Sequence, residues 1–273
     1  MNAKRGLVTL QFDFGKNWAD YSAHAINAER IKQARHDFYT LHAATGGVAA
    51  RSFLDIGFGQ GLSLLSAAAL GAEVVGVDIN PTCGDVLKRN QRFFPDIETL
   101  NVPVAIGSIL DDSIVQHART ASPNGAGYDI VHSWGVLHHT GNMRLAVKNA
   151  ASLVKPGGYF VVALYNRHWS SRPWLLIKYI YCKSPSVVQK LLVWALMPVI
   201  YVAKFLVTKE EPRKQARGMD FFYNVVDWVG GYPYEYASKA EALALIEPMG
   251  FRCVKFVPSQ VPTGCNEFVF QRS

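Results

Sequence analysis

From residue 52 onward the chain alternates short β-rich runs with stretches of helical periodicity, and few folds accommodate that alternation. "SFLDIG", "EVVGVD", "NVPVAI", "YDIVHSW" and "GYFVVALY" read as strands; "LSLLSAAAL", "PTCGDVLKRNQRFF", "DDSIVQHA" and "NMRLAVKNAASLV" read as helices between them. Runs this rich in Val, Ile and Leu suit strands covered on both faces, and strand–helix repetition is how parallel sheets are built. "LVKPGGYFV" predicts a helix end, a Pro-Gly-Gly turn and then a strand. Near the C-terminus, "SKAEALALIEPMGF" predicts a helix ending at Gly250. "FRCVKFVP" and "NEFVFQR", joined by "QVPTG", predict an antiparallel hairpin. The expected class is α/β, a Rossmann-like sheet with helices on both faces. At 273 residues, 49% of them apolar, the chain can bury such a core and carry an insertion.

Ligands of open parallel sheets lie at the carboxyl ends of the strands. There the first predicted strand breaks into Gly57, Gly59 and Gly61, and the second ends on Asp78. Glycine permits a tight turn and close approach of the backbone to a ligand. A carboxylate at the neighbouring strand tip accepts hydrogen bonds from ribose hydroxyls. The two together imply a nucleoside lying across two strand ends. The spacing G-x-G-x-G departs from the dinucleotide fingerprint G-x-G-x-x-G, and Asp55 adds a negative charge hostile to pyrophosphate. That charge suits a ligand with a sulfonium and an ammonium, such as S-adenosylmethionine.

"LDIGFGQG", "VVGVDIN", "YDIVHSWGVLHHTG" and "LVKPGGYFVVALYN" resemble, in order, the motifs of class I S-adenosylmethionine-dependent methyltransferases over roughly residues 50–166. The resemblance implies a seven-stranded, mostly parallel sheet with an antiparallel last strand. It implies that Asp55, Gly57, Phe58, Gly59 and Gly61 hold the methionine part of the donor and Asp78 the ribose. Ile79 would cover one adenine face, with Ser108 and Ile109 at the position where the family often contacts the adenine amine. Ser133, Trp134 and Gly135 would border the methyl donor. "FDFGKNWADYS" resembles a cap found in some branches, with Trp18 expected on the cofactor and Tyr21 toward the acceptor. Ordinary packing of a terminal helix is the alternative.

Methyl transfer to a hydroxyl needs alignment and benefits from a base. His138 and His139 follow the fourth strand at the ligand end of the sheet. Two adjacent residues cannot both face one pocket from a regular element, so one is expected to pack; His138 is favoured as the base, with Asn166 as a further candidate. Residues 217–237, "RGMDFFYNVVDWVGGYPYEYA", carry too many rings for an exposed loop. They predict either core packing or an acceptor cleft holding Tyr223, Asp227, Trp228, Tyr232 and Tyr234, joined by Asn266 and Glu267 from "TGCNEF". The aromatic segment and this ending together resemble a bacterial small-molecule branch of the family.

Residues 167–217 hold ten Lys or Arg against Glu210 and Glu211, so the chain's net charge of +7 resides in this segment. Within it, residues 174–207 are apolar, with lysines at 178, 183, 190 and 204. Their longest uncharged stretch, Leu191–Ala203, is 13 residues, short for a bilayer span, and Pro198 should kink it. This predicts a helix pair with four competing readings: a lid over the acceptor, a peripheral contact with an anionic membrane, a homodimer interface, or an RNA contact. The excess of apolar residues over cations argues against nucleic acid. Four dispersed cysteines and no C-x-x-C pair point away from zinc or disulfides and suit a reducing cytoplasm; no secretory h-region is visible.

The expected organisation is therefore a cap over 1–50, a methyltransferase core over 51–166 and 218–273, and an insertion over 167–217. The expected protein is a cytoplasmic enzyme, free or peripheral on the membrane, that methylates a small-molecule or lipid- or glycan-linked acceptor, on oxygen by preference. An RNA methyltransferase, a nicotinamide oxidoreductase and a non-catalytic cofactor-binding scaffold are the rivals.

Overall fold

The computed structural model describes residues 10–213 and 219–273. In chain order its elements are α1 (Phe14–His24), α2 (Ala28–His42), β1 (Ser52–Ile56), α3 (Leu62–Ala69), β2 (Glu73–Asp78), α4 (Cys83–Asn90), β3 (Val104–Ile106), α5 (Asp112–Thr120), β4 (Tyr128–Trp134), α6 (Met143–Ser152) and β5 (Val154–Tyr165). There follow α7 (Ser171–Lys183), α8 (Ser186–Thr208), α9 (Phe221–Gly230), α10 (Lys239–Ile246), β6 (Phe251–Val257) and β7 (Cys265–Arg272).

The strands form one seven-stranded sheet in the order β3-β2-β1-β4-β5-β7-β6. Ladders among β1 to β5 are parallel, and β7 runs antiparallel to both β5 and β6. Strand order reverses between β1 and β4, and a crevice at the carboxyl ends opens there. Alternation along the strands divides the core. Leu54, Val131, Phe160, Val162 and Phe268 face α5, α6 and α10, whereas Phe53, Ile130, Val161 and Val269 face α2 and α3. The Pro-Gly-Gly segment expected as a turn is drawn into β5, where the ladder shifts register between Tyr128 and Ile130.

A third apolar cluster, with Tyr181, Val193, Val225 and Val229 at its centre, joins α7, α8 and α9. The expected helix pair is therefore present, but α9 packs with it; the boundary drawn at 217/218 lies outside the described residues. Pro198 sits inside α8 without ending it. Although Lys190 and Lys204 lie within it, α8 runs 23 residues and holds an 18-residue window of mean hydropathy 2.0, long and apolar enough to cross a membrane by length and composition. The 13-residue uncharged stretch alone did not imply that.

Gly127, at the entrance to β4, has φ +97°, and a Cβ there would lie 2.6 Å from the carbonyl oxygen of Leu153. Both the left-handed backbone and the rigid neighbour oppose a side chain. Gly127→Ala is expected to destabilise the fold by roughly 2–4 kcal/mol, read as a lower urea midpoint. An unchanged midpoint would show that this strand entrance tolerates a side chain.

Candidate active site

The floor of the crevice is the turn after β1. Gly59 has φ +52°, and its N–H donates to Asp78 Oδ2 at 2.9 Å. Asp78 Oδ1 accepts from the Asn80 N–H at 2.8 Å. The carboxylate is thus clamped across two strand tips, with the Cys83 side chain as a further hydrogen-bond partner. Burial raises the carboxyl group's pKa, opposed by the bonds from Asn80 and Gly59. Asp55 is buried on the same floor, its Oδ1 2.9 Å from His132 Nδ1; His132 Nε2, on the cleft wall, has no partner among the described residues.

The cap seats directly on this floor. Asn80 Nδ2 donates to Asp13 Oδ1 at 3.0 Å, and the Trp18 indole lies 3.1 Å from where a Gly59 Cβ would be. Asp55, Gly57, Phe58, Gly59, Asp78, Ile79, Ser108, Ile109, Trp134, Gly135 and Trp18 all line one cleft of about 1440 Å³. Gly61 and Ser133 do not. Gly61 (φ +80°) opens α3 against Leu87, and Ser133 turns inward to donate to the Ile56 carbonyl oxygen at 2.9 Å. A turn with three positive-φ glycines and two buried carboxylates beside it fit a nucleoside bearing a sulfonium and an ammonium.

Only one of the two histidines reaches the cleft. His138 is fully buried beneath Tyr165 (ring centroids 4.0 Å apart), its Nδ1 accepting the Tyr165 N–H at 3.3 Å. It lies outside the cleft lining, contrary to the preference stated above. His139 lines the cleft; its Nδ1–H donates to the Pro233 carbonyl oxygen at 2.6 Å, which leaves Nε2 the nitrogen with a lone pair. Burial and then Lys178 pull His139 down to about 3, so it is neutral throughout the working range.

Beyond the histidines, the wall is Tyr165, Trp174, Asp227, Trp228 and Glu267. Glu267 Oε1 accepts from Trp134 Nε1 at 2.7 Å. The remaining expected acceptor residues lie elsewhere. Tyr21 is buried between α1 and Tyr223, with ring centroids 5.6 Å apart, and the Tyr223 hydroxyl donates to the Asp20 carbonyl oxygen. The Tyr232 ring meets Tyr179, and Tyr234 backs the wall behind Tyr165 and Trp228. Asn166 and Asn266 bond each other at 3.0 Å, bracing the ends of β5 and β7. Tyr165, Trp174 and Asn17, which donates to Asp227 Oδ1 at 2.6 Å, were not foreseen. Nor was the burial of Lys178, expected on a membrane-facing surface but found with no exposure.

A family described as a methyltransferase domain matches residues 23–199. The ubiquinone biosynthesis O-methyltransferase of Mesorhizobium japonicum is 33% identical over 149 residues, 53% of this chain and 54% of that one. The chain spans about half the length of the first curated relatives it matches. Two solved structures share the fold at low identity. The magnesium protoporphyrin IX methyltransferase of Synechocystis, with bound S-adenosylhomocysteine, has TM-score 0.53 and 13% identity over 94% of each chain. The N-methyltransferase NodS of Bradyrhizobium japonicum, in complex with the same product, has TM-score 0.51 and 14% identity over 95% of this chain and 98% of that one. The chain belongs to the methyltransferase-domain family.

If Asp78 holds the ribose, Asp78→Ala removes one or two charge-assisted hydrogen bonds at about 1.5–3 kcal/mol each. Calorimetry should then show at least a tenfold loss of S-adenosylhomocysteine affinity. Unchanged affinity would place the ribose elsewhere.

Proposed function

We propose that the chain transfers the methyl group of S-adenosylmethionine to a hydroxyl oxygen of a flat aromatic acceptor with an apolar tail, working at the surface of an anionic membrane. The donor supplies an electrophilic methyl carbon on a sulfonium. The protein's part is to bind, align and exclude water, and alignment can contribute on the order of 7–11 kcal/mol. Asp55, the glycine turn, Asp78, Ile79, Ser108 and Ile109 are assigned to the donor, with Trp18 closing over it. His139 is assigned to orient the acceptor hydroxyl through its free Nε2 lone pair. Tyr165, Trp174, Trp228 and Glu267 are assigned to the acceptor.

One observation carries this reading: the cleft that begins at Asp78 continues past the aromatic wall to α8, where Val199, Ala203 and Val207 line it one turn apart. Elsewhere on that helix Val187, Leu191, Trp194, Val202, Phe205 and Leu206 are exposed, Trp194 by 68%. An acceptor tail leaving the cleft therefore meets apolar surface, which suits a lipid-linked substrate and gives the insertion both its expected roles, lid and membrane contact. The relatives' name supports oxygen as the atom methylated. A cytoplasmic, peripheral location follows from the same reading.

Two measurements test it. Lysate incubated with the enzyme and tritiated methyl donor should carry label in the organic extract; label confined to RNA, or none despite cofactor binding, would favour the rivals. Liposomes with anionic lipid should float the protein at low salt, and Leu191→Glu with Trp194→Glu should abolish this. No flotation of the unmodified protein removes the membrane component.

A further inference from the structure

Lys178 is the residue whose surroundings least suit its type. It lies in α7 with no exposure, and its ammonium donates to the Trp228 carbonyl oxygen. The rings of Trp228, Tyr234 and Tyr165 stand 4.2, 4.8 and 5.8 Å from Nζ. An ammonium in such a place is costly unless its charge is compensated; Lys178 is bonded to the carbonyl of Trp228, the residue that follows Asp227 on α9, and Asp227 is the carboxylate whose charge bears on it most. Asp227 lines the cleft. Its Oδ1 is held by Asn17 of the cap, whose amide also donates to the Tyr223 carbonyl oxygen. Asp227 Oδ2 has no hydrogen bond among the described residues.

We propose that Asp227 is the catalytic base of the acceptor half of the cleft, aimed by Asn17 and tuned by Lys178 from behind the aromatic wall. The proposal rests on the methyl-transfer reading. As the acceptor O–CH3 bond forms and the methyl–sulfur bond breaks, its electron pair staying on sulfur, the acceptor O–H bond breaks and the proton passes to Asp227 Oδ2. Lys178 stabilises the carboxylate before transfer, and as a positioning residue it touches no reacting atom.

Among the groups that bear on this pair, Asp227 is the carboxylate that lines the cleft; Glu267, the other carboxylate of the acceptor wall, is held by the Trp134 indole. Burial raises Asp227 to about 7, while Lys178 and the Asn17 bond oppose the rise; burial lowers Lys178 to about 7. His139 is too weak a base at about 3. The Tyr165 hydroxyl is held well above its ordinary value by burial, and Tyr181 is raised as well. Cys182 and Cys265 are the other titratable groups whose charge bears on Lys178. A base with its pKa near working pH is the efficient one.

The test uses full-length protein carrying 13C-labelled Asp carboxyl groups. One resonance should titrate near pH 7, vanish in Asp227→Asn, move up by a unit or more in Lys178→Met, and stay near pH 7 in Lys178→Arg. With catechol as probe acceptor and saturating donor, the acid limb of kcat should follow the same shifts. Asp227→Asn should lower kcat roughly 10²- to 10⁴-fold while S-adenosylhomocysteine affinity and melting stay native. A resonance titrating in the ordinary carboxylate range overturns the proposal with or without turnover. So does an Asp227→Asn variant with wild-type rate and pH profile. Loss of S-adenosylhomocysteine binding by the unmodified protein would instead defeat the methyl-transfer reading itself.

Discussion

The Asp78 carboxylate ties this molecule's parts together. It ends β2, receives the N–H of Gly59 from the turn after β1, and receives the N–H of Asn80, which in turn bonds the cap at Asp13. Two strand tips, a glycine turn and the N-terminal helix converge on one buried anion. An anion in that position is unfavourable on its own and favourable once dipoles and a ligand's hydroxyls surround it. The sheet's reversal between β1 and β4 makes the crevice, and this carboxylate stands on its floor, where the proposed reading places the ribose.

The other half of the cleft is built on a different principle. The donor side uses backbone and short polar groups at strand ends, where the sheet holds them rigidly. The side assigned above to the acceptor is built largely from helices outside the sheet: α1 contributes Asn17, α7 Trp174 and the buried Lys178, α8 an apolar edge, and α9 Asp227 and Trp228. Rings meet edge-to-face or tilted here, Trp174 and Tyr165 of β5 each against Trp228, and Tyr165 against Tyr234. They keep water from the place where charge would move.

That division explains what could be read from the residues alone. The sheet, the glycine turn and Asp78 were legible because each follows from local pattern: apolar runs, φ-permissive residues and a carboxylate at a strand end. Ser133 and Gly61 were misplaced because neighbouring residues on a strand tip or turn point in alternate directions, and pattern does not say which one meets the ligand. The choice of His138 over His139 failed for a similar reason. Their backbones differ by one step, and only tertiary partners, Tyr165 over His138 and the Pro233 carbonyl on His139, decide which ring meets the cleft. Lys178 did leave a trace: it shares a helical stripe with Trp174 and Tyr181, a spacing that argues for burial. In a segment so rich in lysine its charge suggested a surface instead. Asn17 left no signal, because its meaning depends on Asp227, 210 positions away.

The most direct test is a crystal structure of the protein with S-adenosylhomocysteine. Both ribose hydroxyls should lie within hydrogen-bond distance of the β2-tip carboxylate, with the amino acid end over the turn between Asp55 and Gly59. A nucleoside bound at another edge of the sheet, or a ribose out of reach of that carboxylate, would contradict the account.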